Sequence, residues 1–203
     1  MMFISFHNSL VVEAGIDEVG RGCLAGPVVA AAVILPRNYQ NSYVKDSKKL
    51  KPVERVLLAQ EIKKIAISYA IAQAEVEEIN QYNILNATFL AMHRAIQKLT
   101  PQPEYLLIDG NRFKPYPSIP HTCIVRGDSL YLSIAAASIL AKDYRDNLMK
   151  SLALHYPHYD WQNNVGYATP KHLLAIEKYG LTNYHRKYFR VKKPINFREK
   201  YIL

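Results

Sequence analysis

Asp17 and Glu18 stand side by side at the end of an apolar run, and Gly20-Arg21-Gly22 follows at once. Hard carboxylate oxygens suit Mg²⁺ or Mn²⁺ rather than zinc, so this pair is a candidate for divalent-metal chemistry. Consecutive strand residues face opposite sides of a sheet. Both carboxylates therefore reach one site only if the strand bulges or ends there, or if one residue also offers its backbone carbonyl. Gly20 and Gly22 permit such a break, since glycine accepts positive φ and lets backbone approach a ligand closely. By themselves the two acids fit equally well an acidic strand end running into a polar turn.

Two further acids occupy comparable places. Asp109 closes the short apolar run 104–109 and precedes Gly110; acids at strand ends commonly face ligands in α/β sheets, although an Asp-Gly turn reads the same way. Asp128 follows Arg126-Gly127 and precedes a long helical pattern, where an N-cap is the commonest duty of an Asp.

The order Asp-Glu-Val-Gly-Arg-Gly, continued by Cys-Leu-Ala-Gly-Pro-Val over 17–28, resembles the N-terminal signature of ribonuclease HII. The related ribonuclease HIII carries Gly-Lys-Gly at the glycine pair. The resemblance extends from Gly15 to Phe189 and implies a ribonuclease H-like α/β fold: a mixed five-stranded sheet flanked by helices, with a helical C-terminal portion. It implies that Asp17, Glu18, Asp109 and Asp128 are the catalytic acids and the ligands of two divalent ions, Mg²⁺ or Mn²⁺. Two such ions can flank one phosphate, one activating water and one stabilising the leaving oxygen. The implied reaction cuts the RNA strand of RNA–DNA hybrids, and incises 5′ of single ribonucleotides in duplex DNA, leaving 3′-hydroxyl and 5′-phosphate ends.

For substrate binding, the resemblance implies that the backbone of Gly20, Arg21 and Gly22 reads the 2′-hydroxyl. Ser47 and Lys48, in Asp46-Ser47-Lys48-Lys49-Leu50, would hold phosphate. Tyr167, in Gly166-Tyr167-Ala168-Thr169, would stack on the sugar at the RNA–DNA junction. Three positions depart from the family pattern: Arg126 replaces a lysine, Ala168 a glycine, and Tyr188 the serine of a His-Arg-x-Ser-Phe segment, here His185 to Phe189. No role follows for that last segment. Two other readings compete: a junction resolvase of the same superfamily, and a hybrid-binding module without chemistry. The complete set of four acids argues against the second.

The elements needed to position these residues can be read from periodicity. Residues 10–17 read as a first strand and 26–35 as a second, apolar on both faces like a central strand covered by helices. A helix begins at Pro52, a third strand spans 65–76, and a polar patch at 80–83 precedes a second helix over 85–99. Strands at 104–110 and 121–125 lead to a helix from Ser129 to about His155. Its stretch 134–141 is apolar all round and rich in alanine, which suits burial beneath the sheet. Lys142 and Arg145 follow, one turn apart, and are expected on the surface holding duplex phosphates. A continuous helix puts Lys142 about 21 Å from Asp128, too far for the scissile phosphate. Thr169 and Pro170 open a final helix to Tyr179 as N-cap and first residue.

Lys and Arg number 26 against 17 acids, a net charge of +9 in 203 residues, which suits a polyanionic partner. Hydrophobic residues make up 49% and charged residues 21%, an ordinary globular balance. We expect one catalytic domain over 1–203, with 156–203 as a helical portion completing the groove. Cys23 and Cys123 have no metal-type spacing and fit a reducing compartment. No signal peptide or apolar membrane span is visible, so a cytoplasmic protein with no membrane partner is expected; separately, a monomer is expected. A replication-clamp contact is not legible in these residues.

Overall fold

Val28–Ile34 (β2) carries no polar side chain and is buried at every position. Alternation sends Val28, Ala30, Ala32 and Ile34 into one apolar cluster, and Val29, Ala31 and Val33 into another on the opposite face. A strand of this kind needs helices on both sides. The computed structural model, which describes His7 and residues 11–40 and 51–189, has that arrangement.

Glu13–Val19 (β1) pairs antiparallel with β2, and β2 pairs antiparallel with Ser68–Ala74 (β3). Tyr105–Asp109 (β4) lies parallel to β1 on its other side, and His121–Ile124 (β5) parallel to β4. The sheet is therefore mixed and five-stranded, in the order β3-β2-β1-β4-β5. Val76–Gln97 (α2) packs over the face that carries Ala14, Ile16, Ala30 and Ile108. Pro52–Ile65 (α1) and Leu132–His155 (α3) cover the other face.

The approach of α3 to β1 is unusually close. A Cβ added at Gly15 would sit 2.2 Å from the backbone carbon of Ser133 and 2.3 Å from the nitrogen of Ile134. Ala135, Ala136 and Ala137 keep the rest of that helix face thin and fully buried. This contact sets the height of α3 above the acidic end of β1.

Two boundaries differ from expectation. The polar patch at 80–83 lies inside α2, because Val76 and Ile79 bury an extra turn against the core. The helix is interrupted at Asn83 (φ 67°, ψ 166°), whose Oδ1 accepts from Leu85 N and Asn86 N at 3.0 and 3.1 Å and so caps the second half. Asp128 does not start a continuous helix: it sits in a separate 3₁₀ turn, Gly127–Ser129, and α3 begins at Leu132.

After α3 come a 3₁₀ turn at Pro157–Tyr159, the short Trp161–Asn164 (α4) and Pro170–Tyr179 (α5). As expected, Pro170 opens α5 and the Thr169 side chain accepts from His172 N. These elements form a third apolar cluster in which Trp161 and Tyr159 pack on Met149 and Ala25. Ala25 belongs to the loop joining β1 to β2, and it also forms an isolated antiparallel bridge with His185. The C-terminal portion thus grips the loop containing Gly20-Arg21-Gly22. Among the described residues no helix is long and apolar enough to cross a membrane.

Candidate active site

The β1–β2 register runs without a bulge through Asp17↔Ala31 and Glu18↔Ala30, and β1 ends at Val19. Both acids thus lie within paired strand, and of the ways for neighbouring acids to share a site the bulge is the one this register rules out. Continuing the β1–β4 pairing one step past Ile16↔Ile108 sets Asp109 beside Asp17, about 4.8 Å away across the sheet. Both acids then project from the same face, toward α3.

Asp17 is buried, and its Oδ1 accepts from Glu18 N at 2.7 Å. Burial holds its carboxyl well above the usual range, with the charges of Glu18 and Asp109 adding to the rise; a hydrogen bond from Ser138 on α3 opposes it. Glu18 is raised too, first by burial and also by Asp109, against the pull of Arg21, whose Nη1 lies 3.0 Å from Glu18 Oε1. Asp109 Oδ1 accepts from Gly127 N at 2.7 Å. That bond ties the end of β4 to the 3₁₀ turn carrying Asp128, which is itself buried. Ser138, the polar interruption in an otherwise apolar stretch, is a site residue that periodicity alone did not single out.

The loop from Gly20 to Pro27 is held by two buried guanidiniums. Arg145 is fully buried and donates to the carbonyls of Pro27, Val165 and Ala25 at 3.0, 2.8 and 2.9 Å. This corrects the expectation that Arg145 meets phosphate at the surface. Its side chain turns inward, and the three carbonyls take up donors that a phosphate would need. Arg186 donates to Gly20, Arg21 and Gly26 carbonyls at 2.7, 2.9 and 2.8 Å. Burial lowers its pKa to about 10, so it stays charged at neutral pH.

Gly20 has φ +93°, and a Cβ there would lie 2.2 Å from Arg145 Nε. Glycine is required on both counts. Gly22 is different: its φ is not positive, and a Cβ would meet only Tyr167 Cε1 at 3.9 Å. The space in front of Gly22 is therefore open, with the half-exposed Tyr167 ring at its edge.

Tyr167 is anchored through its backbone. Trp161 Nε1 donates to His172 Nε2 at 3.0 Å, which leaves the His172 proton on Nδ1, donating to Tyr167 O at 2.8 Å. Thr182 N donates to His185 Nδ1 at 2.9 Å, so His185 carries its proton on Nε2 and donates to His172 Nε2 at 3.1 Å. With both rings neutral, His172 Nε2 is one acceptor shared by Trp161 Nε1 and His185 Nε2, whereas protonating either ring would set N–H against N–H. Burial accordingly lowers both pKa values, that of His185 to about 4.

Lys142 is part-exposed, one turn beyond Ser138, and its Nζ pairs with Asp146 Oδ1 at 2.6 Å; Asp146 also binds Arg55 at 2.6 Å. Ser47 and Lys48 lie outside the described residues. Among the described residues no three His, Cys, Asp or Glu side chains close around one point. The chemistry of the acids fits a divalent cation all the same. Oxygen donors alone are present, and at Asp17 and Glu18 burial with neighbouring negative charge opposes ionisation, which a 2+ charge would favour.

The sequence from 14 to 192 matches the family model for ribonuclease HII. A ribonuclease HII from Cytophaga hutchinsonii is 58% identical over 193 residues, covering 95% of this chain and 96% of the relative. The crystal structure of ribonuclease H2 from Pyrococcus horikoshii superposes with a TM-score of 0.75 at 24% identity, covering 87% of this chain and 93% of that one. The Bst ribonuclease HIII in complex with Mn²⁺ shares the fold at a TM-score of 0.62 and 21% identity, over 84% of this chain and 63% of that one.

Proposed function

Starting from the fact that this chain belongs to the ribonuclease HII family, and is thus a metal-dependent ribonuclease H acting on RNA–DNA hybrids, we propose that it also incises duplex DNA 5′ of a single embedded ribonucleotide. The observation that carries this reading is the open space at Gly22, walled by the Tyr167 ring on one side and following directly on the acidic end of β1. A lone 2′-hydroxyl offers no extended hybrid shape, so its reader must be close and rigid. The loop meets that need through Gly22, which keeps a side chain out of the way, and through Gly20, whose positive φ and close contact with Arg145 fix the turn. Tyr167 would pack on the next sugar, where a hydroxyl would be out of place.

Asp17, Glu18, Asp109 and Asp128 would hold the divalent ions, Mg²⁺ or Mn²⁺; the manganese complex of the ribonuclease HIII neighbour supports this choice. When bound, a pair of such ions lowers the pKa of the attacking water and stabilises charge on the leaving 3′-oxygen. The chain's own residues position these groups. Ser138 and the Glu18 amide orient Asp17, Gly127 N–H orients Asp109, and Arg21 draws Glu18 toward the glycine loop. Lys142 on α3, with Ser47 and Lys48, would add phosphate contacts without sequence preference. We place the enzyme in the cytoplasm as a monomer.

The test is incubation of a duplex DNA carrying one ribonucleotide, with Mg²⁺ or with EDTA, followed by mapping of the ends. A cut 5′ of the ribonucleotide, leaving 3′-hydroxyl and 5′-phosphate and abolished by EDTA, is expected. Cleavage of a continuous hybrid with no cut at the single ribonucleotide would refute the proposal while leaving the family's activity intact.

A further inference from the structure

Arg186 touches none of the acids and lies in a segment to which sequence reasoning gave no role. It is 3% exposed and stacks over the Phe189 ring at 4.9 Å. Its hydrogen bonds all go to backbone carbonyls: Gly26 twice, Gly20 and Arg21. Across a trans peptide the C=O and N–H point in opposite directions. Turning the Gly20 and Arg21 carbonyls inward onto one guanidinium therefore turns the N–H groups of Arg21 and Gly22 outward. Neither N–H has a backbone partner among the described residues, and both residues are within the stretch that borders the open space beside Tyr167.

We infer that Arg186 is a positioning residue for ribonucleotide recognition, holding two consecutive carbonyls of the Gly-Arg-Gly loop so that the amides of Arg21 and Gly22 present a fixed pair of donors to the 2′-hydroxyl. This rests on the proposed reading that the loop inspects that hydroxyl. A planar fork suits the task, since one guanidinium reaches several acceptors in fixed directions, whereas a lysine ammonium is a single mobile point. His185 strengthens the arrangement from the adjacent position. Its backbone bridges Ala25 and its ring meets His172, which holds the Tyr167 carbonyl. The two residues thus couple the donor pair to the ring that faces the neighbouring sugar.

The test is binding in Ca²⁺ to two duplexes that differ at one nucleotide, ribo or deoxy, with the Kd ratio as readout. For wild type we expect the ribo duplex to bind more tightly. In Arg186→Lys the ratio should fall on the order of tenfold toward one, two lost hydrogen bonds in the affinity scale, with affinity for the deoxy duplex unchanged. A merely structural Arg186 would weaken both duplexes together and keep the ratio, and that result overturns the inference.

Gly22→Ala separates the inference from its premise. If it abolishes the ratio while Arg186→Lys retains it, the loop reads the hydroxyl without needing Arg186. If Gly22→Ala leaves the ratio intact, or wild type shows none, the loop is not the reader and both statements fall. Should Arg186→Lys not fold, amide exchange in wild type decides. Arg21 and Gly22 amides should exchange fast in the free protein and slow on the ribo duplex alone. Slow exchange in the free protein, or equal slowing by both duplexes, contradicts the assignment.

Discussion

Lowering the pH should weaken the fold through one buried ring, and the size of the effect follows from its contacts. His185 is 2% exposed. Its Nδ1 accepts from Thr182 N and its Nε2 donates to His172. Burial first, then the neighbouring His172, lowers its pKa to about 4, against about 6.5 in an unfolded chain. The unfolded state therefore binds more protons between these values. The stability due to neutral His185 is complete above about pH 6.5 and is lost as pH falls toward 4. Between pH 7.5 and 5 the loss is about 2 kcal/mol, and the limiting value at lower pH is about 3 kcal/mol. Asp17 and Glu18 shift in the opposite sense: raised carboxyl pKa values relieve repulsion as pH falls. A difference measurement removes them. Urea unfolding of wild type and His185→Asn, without metal, should give a stability difference about 2 kcal/mol smaller at pH 5 than at pH 7.5. Asn keeps an acceptor for Thr182 N but does not titrate. A difference that is the same at both pH values would refute the neutral-pair assignment.

Gly15→Ala places a methyl 2.2 Å from the backbone of Ser133, where no side chain can move aside. It should destabilise by about 3 kcal/mol or more, at or beyond the upper end of ordinary overpacking, read as a lower midpoint in urea. Tyr167→Ala should lower kcat/KM on a single-ribonucleotide duplex more than on a continuous hybrid, because only the former presents an RNA-to-DNA junction beside Gly22; an unchanged ratio would remove the tyrosine from junction reading.

What the sequence made legible was local. The all-apolar run of β2 announced a strand covered on both faces, and it is so covered. The ordered match around Asp17 to Val28 carried the family and hence the sheet. Asp109, read as the acid that closes a short apolar strand, does end β4. What stayed hidden depends on distant contacts. Arg145 read as a surface cation because charged residues just past an apolar helix stretch usually face solvent, yet two of its three acceptors lie 118 and 120 positions earlier. Arg186 meets carbonyls 160 to 166 positions away, beyond any periodicity. The break at Asn83 hid the first turns of α2, since a polar patch inside one helix and a loop between two elements share a composition.

The central claim is that the acids at the ends of β1 and β4 perform the cut, and Asp109→Asn tests it most directly. Asparagine keeps an oxygen for the Gly127 N–H and removes the charge that a divalent ion would meet. Single-turnover cleavage of the one-ribonucleotide duplex in Mg²⁺ should fall on the order of a hundredfold or more, with duplex affinity in Ca²⁺ and the unfolding midpoint close to wild type. Cleavage at a near-normal rate would take Asp109 out of the reaction and contradict the account.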